Sequence, residues 1–136
     1  MLKHERFDEL LEKVQQLLPK RENDTDGRYK TITVYALNKT IQDVANFCNI
    51  PIDELPEELD YTLVAMTVQV IKTHGWLDPE NDSSNVQSLS EGDTSVTFKS
   101  ITSIFSELQA VNPITDNYTN ILYNFRRLPE WANLKA

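Results

Sequence analysis

Apolar residues recur at helical spacing along most of this chain, and prolines cut the recurrence into segments. Phe7, Leu10, Leu11, Val14, Leu17 and Leu18 share one face of a helix predicted over 2–18. Pro19 ends it, because the residue before a proline avoids helical geometry. A second stripe, Val34, Leu37, Ile41, Val44, Ala45 and Cys48, predicts a helix over 31–49. Pro51 and Pro56 interrupt the pattern, and a third helix is expected from Glu57, with acids in its first turn, to Gly75, a helix-ending residue. Leu63 to Ile71 is apolar on several sides, which predicts the most buried helix. Ile101, Ile104, Phe105 and Leu108 give a short helix. After Pro113, Tyr118, Ile121, Leu122, Phe125 and Leu128 line a last one, closed by Pro129. Residues 20–30 and 76–85 read as polar linkers. The expected fold is a mainly α, small bundle of four to five helices in a single domain, 1–128, with a tail at 129–136.

One stretch departs from this rule. In "VQSLSEGDTSVTF", residues 86–98, two short Ser/Thr-rich runs flank Glu91-Gly92-Asp93, and Gly92 sits where a tight turn needs positive φ. This predicts a β-hairpin. A two-stranded hairpin is marginal in water, and its unpaired edges invite completion by another chain. Val96 and Phe98 are placed to anchor its base. Otherwise three glycines in 136 residues argue against an all-β fold and a phosphate-cradling loop.

Charge narrows the function classes. The formal net charge is −8, which repels nucleic acid phosphates unless the charges are sharply segregated. Residues 53–80 are segregated with the wrong sign: seven acids against Lys72 alone. Cys48 is the lone cysteine, so neither a disulfide framework nor a thiolate zinc site is expected. Without a signal-like segment or an apolar run near 20 residues, the expectation is a soluble protein made in the cytoplasm, with no membrane partner.

Catalysis finds little support, and no enzyme activity, cofactor or metal is expected. His4 lies near a terminus expected to fray, and His74 is expected to decorate the end of the third helix. Glu57 and Glu58 are adjacent and point to different sides of a helix. Asp24, Asp26 and Gly27 resemble part of a calcium loop, but Thr33 stands at the closing Glu position. "TIQDVANFCNIP", 40–51, resembles the start of a helix-turn-helix, so a small DNA-binding regulator built on 40–60 is the alternative function. The recognition segment it requires reads "PIDELPEEL", acidic and broken by Pro56. Arg126 and Arg127 are adjacent cations near the end of the last helix. They are either paired within the domain or meet an acidic surface of another subunit. Trp131, in the tail, has the character of an interface anchor.

Three stretches together resemble one family. "DVANFCNIPIDELPEELDYTLVAMTVQVIKTHG", "VQSLSEGDTSVTF" and "YTNILYNFRRLPEW" are similar, in order and spacing, to the head-tail connector (adaptor, DNA-packaging or head-completion) proteins of tailed bacteriophages. The resemblance covers most of residues 40–131. It implies a mainly helical subunit with a hairpin, assembled as a homo-oligomeric ring at the capsid vertex of the virion, where head meets tail. The implied partners are the portal protein and the next head-completion or tail protein, with DNA passing nearby without specific binding. By position, the hairpin residues Ser90, Glu91, Gly92, Asp93, Thr94, Val96 and Phe98 would contact neighbours or the next ring. Arg126, Arg127 and Trp131 would face the portal or an adjacent subunit. The segments 20–30 and 76–85 are long for the pattern.

Overall fold

The longest helix starts at Thr25, whose side-chain oxygen accepts the backbone N–H of Arg28 at 3.1 Å. That is an N-cap, satisfying one of the donors a helix start leaves orphaned. The computed structural model describes residues 4–79 and 97–127, and over these the protein is mainly helical. Five α-helices follow in chain order: α1 Phe7–Leu17, α2 Asp26–Cys48, α3 Asp60–His74, α4 Ile101–Ala110 and α5 Asp116–Tyr123. Two 3-10 turns, Ile52–Glu54 and Glu57–Leu59, fill the gap between α2 and α3. The prolines act as expected, since Pro51 and Pro56 each stand immediately before one of these turns.

The helix starts differ from the sequence expectation. The first helix begins at Phe7 rather than at residue 2. The second begins five residues before Thr31, because the Thr25 cap and Asp26 in the first turn favour helix where the apolar stripe has not yet begun. The polar linker is correspondingly shorter than 20–30.

Arg6, at the start of α1, pairs with Asp60 at the start of α3, while Leu17, Leu18, Ile71 and Lys72 line one cleft at the other ends. So α1 and α3 run parallel. α2 runs antiparallel to them, its first turn meeting the end of α3 through Arg28 and Trp76. α1, α2 and α3 pack on one another, and α4 and α5 rest on α2. One continuous core results, with Val14, Leu37, Val44 and Leu63 fully buried. α3 is buried along Leu63, Val64, Met66, Thr67, Val70 and Ile71, as its apolar run predicted. The buried threonines satisfy themselves within their own helices: Thr40 donates to the Ala36 carbonyl at 2.9 Å and Thr67 to Leu63 at 2.8 Å. At the end of α1, the Tyr29 hydroxyl donates to the Leu18 carbonyl at 2.7 Å, occupying an acceptor that the helix leaves free.

Two expectations are corrected. The segment from Trp76 does not begin as a polar linker, since Trp76 is 0% exposed and Leu77 is also buried. Gly75, at φ 62°, turns the chain back so that the Trp76 N–H reaches the Ile71 carbonyl at 3.2 Å. This closure of a helix end returns the next apolar side chain to the core. His4 is not frayed: it is 3% exposed, and its Nδ1 accepts the Arg6 backbone N–H at 3.0 Å. Most of the hairpin, 86–96, lies outside the described residues. Its last residue, Phe98, makes an isolated antiparallel bridge with Pro79. Among the described residues no strand forms.

Candidate interaction surface

The best-connected polar group is Arg28. Its guanidinium donates to Asp24 Oδ2 at 2.9 Å, to the Trp76 carbonyl at 2.9 Å and to the Lys99 carbonyl at 2.9 Å. It also lies over the Phe98 ring, 4.8 Å from the centroid. One planar side chain with its donors in a fixed fork thus joins the start of α2, the end of α3 and the approach to α4. Asp24, almost wholly buried, also accepts the Thr25 N–H at 2.8 Å, so both carboxylate oxygens are used. In the calcium-like run, Asp24 is therefore an arginine anchor at the start of α2, while Asp26 is exposed and lies 3.8 Å from Lys20 Nζ. Beside it, Glu107 accepts from Trp76 Nε1 at 3.1 Å and from Lys99 Nζ at 3.0 Å. The hydrogen bonds from Lys99 and then Trp76 hold its carboxyl below the usual range. Pro79 and Phe98 are held side by side next to this anchor.

At the other end of the bundle, Arg6 makes a two-point contact with Asp60, at 2.7 and 2.9 Å, and reaches the Leu55 carbonyl at 3.3 Å. His4 Nε2 is buried there, 3.9 Å from Asp60 Oδ1 and without a hydrogen-bond partner among the described residues. Burial, followed by the Arg6 charge, pushes the His4 pKa down. Arg127 ties down the end of the described chain: its N–H donates to the Cys48 carbonyl at 2.7 Å and its guanidinium to Glu54 at 3.0 Å. Burial pushes the Cys48 thiol up, which suits a packed rather than a reactive cysteine. The Arg126 guanidinium lies 5.4 Å from the centroid of the Phe47 ring and 5.8 Å from that of Tyr123.

The surface feature that stands out is apolar. α2, α4 and α5 present Tyr35 against Phe105 and Phe47 against Tyr123, with centroids 5.5 and 5.3 Å apart. Phe105 (43%), Tyr123 (52%) and Ile121 (41%) are well exposed. Between the two aromatic pairs runs a shallow groove lined by Phe47, Val111, Ile114 and the Lys39–Asp43 ion pair. Large apolar side chains in contiguous exposed patches mark places where proteins meet.

Of the sequence-selected residues, Phe98 lies at the Arg28 anchor, and Arg126 and Arg127 lie at the opposite end of α2. The structure does not bring Phe98 together with the two arginines. Arg127 pairs within the chain, with Glu54, and Arg126 faces rings rather than a carboxylate. Ser90, Glu91, Gly92, Asp93, Thr94, Val96 and Trp131 lie outside the described residues. The aromatic face went unseen in the sequence because Phe105 and Ile121 belong to stripes that read as core, while Tyr35, Phe47 and Tyr123 lie outside every stripe and meet their partners only in the fold. The family-model scan finds no match, and no curated protein or solved structure matches the chain.

Among the described residues, no three His, Cys, Asp or Glu side chains are grouped as metal ligands, and no helix is long and apolar enough to cross a membrane. His74 sits where expected, at the end of α3, with Nδ1 3.0 Å from the Val70 carbonyl and its ring stacked on Trp76. Residues 52–59, where a DNA-reading helix would have to begin, form the two 3-10 turns and expose Asp53, Glu57 and Glu58.

Proposed function

We propose that this protein is a structural virion-assembly protein: a head-tail connector that forms a ring between portal and tail at the capsid vertex. In this role it helps complete the DNA-filled head and offers the surface on which the tail or the next completion protein docks. The resemblance across residues 40–131 supplies the class. The observation that carries the reading is the aromatic face of α2, α4 and α5, which gives a small helical domain a large surface for contact with other proteins. Charge also supports it. A net charge of −8 repels phosphates, so DNA threading past such a ring slides rather than sticks.

Mass photometry of the purified chain, with and without the portal protein of the same virus, tests the proposal. A ring, or a complex with portal, is expected. A strictly monomeric chain that ignores portal overturns it.

A further inference from the structure

The ends of the bundle differ in shape and charge. At the α1 and α3 C-terminal end lies a cleft of about 620 Å³ whose apolar wall includes Leu17 and Leu77 and whose rim carries Lys72 and Lys20, with Glu22 and the Arg21–Asp78 ion pair beside them. Leu17 is 59% exposed, unusual for a residue of the apolar stripe of α1. Lys72 is exposed and has no carboxylate partner among the described residues. At the other end the two 3-10 turns present Asp53 and Glu58, both exposed and likewise without a cationic partner among the described residues, flanking a half-buried Pro56.

We propose that the Leu17–Lys72 cleft of one copy receives the acidic 53–58 turn of a second copy. The inference rests on the ring-forming role above and names its contact. One copy cannot bring the two features together: α3 alone, 15 residues long, holds them about 22 Å apart. They can therefore meet only between molecules. A chain of net charge −8 repels its own copies over most approaches. The contact that forms must set opposite charges against each other, and Lys72 facing Asp53 and Glu58 does so. Leu17 and Leu77 meet the apolar side of the turn, at Pro56. Because two different surfaces meet, the contact is heterologous, the type that closes into a ring when its rotation permits.

Charge reversal tests this on the full-length chain by sedimentation velocity at low salt, alone and with portal. Lys72→Glu, or Asp53→Lys with Glu58→Lys, is expected to weaken self-association by about tenfold or more, since like charges are then juxtaposed. The triple variant, with both sides reversed, is expected to recover it. All three positions are exposed, so folding is spared. As a second readout, Lys72→Cys combined with Glu58→Cys is expected to give a ladder of disulfide-linked species, Cys48 being buried. Oligomers that form equally in every variant, or a charge swap without recovery and without the ladder, overturn this contact alone. A chain that stays monomeric with and without portal overturns both the contact and the ring-forming role.

Discussion

α3 and α5 carry similar apolar stripes in sequence and end up in opposite circumstances. α3 buries six residues between α1 and α2, whereas α5 buries Leu122 and leaves Ile121 and Tyr123 in solvent. α3 packs against both α1 and α2, while α5 rests on α2 and is held at its far end by the Arg127–Cys48 and Arg127–Glu54 bonds. The difference separates a region that the chain completes by itself from one whose apolar surface remains available to another molecule. Stability is expected to reside in the first and contact with portal in the second.

The hardest blow to the self-completed region is Trp76→Ala. Losing a fully buried indole and its bond to Glu107 is expected to cost about 3–5 kcal/mol, read by chemical denaturation. Arg28→Met should cost about 3 kcal/mol, chiefly because it strands the buried Asp24 carboxylate. Little loss here would mean that the anchor does not hold the three segments together. Leu122→Ala should cost about 2 kcal/mol. Its amide-exchange signature sharpens the comparison, since faster exchange should be confined to α5 and the end of α2, with α3 protected. Exchange that quickened equally in α3 would erase the distinction. Tyr123→Ser and Phe105→Ser should each cost about 1 kcal/mol, less than the core changes, yet reduce complex formation with portal.

The mildest effect concerns pH. Folding keeps His4 neutral by holding its pKa below the ordinary value of about 6.5, so the unfolded chain binds the proton more readily. The stability this contributes is complete above that value and is lost as pH falls toward the lower folded pKa. Denaturation midpoints between pH 7.5 and 5 should therefore decline, and His4→Leu should flatten the decline. An unchanged slope in the variant would remove His4 from the account.

Much of the architecture was legible in local pattern. The stripes through Leu10 and Val14, through Leu37 and Val44, and through Leu63 and Ile71 all face the core as their spacing predicts. Pro51, Pro56 and Gly75 mark the breaks where expected. The start of α2 was not legible, because a Thr cap followed by Asp and Gly reads equally as a loop. Trp76 looked like a linker residue because its burial depends on α4, which follows 25 residues later in the chain. The aromatic pairs were hidden because Phe105 lies at a spacing that implies burial, whereas Tyr35 lies off its helix's stripe, and only the packing of α4 on α2 brings the two rings together.

The amino-acid order by itself determined a helical chain, its approximate breaks and the concentration of acids at 53–60. Each of these depends on residues within a few positions of one another, through backbone geometry and proximity in sequence. Tertiary structure alone decided that Asp24 and Arg28 form a buried anchor, that Arg127 belongs to Glu54, and that Leu17 and the 53–58 turn lie at opposite ends. Those outcomes depend on which helices become neighbours, a choice set by the collective burial of the core rather than by any local rule.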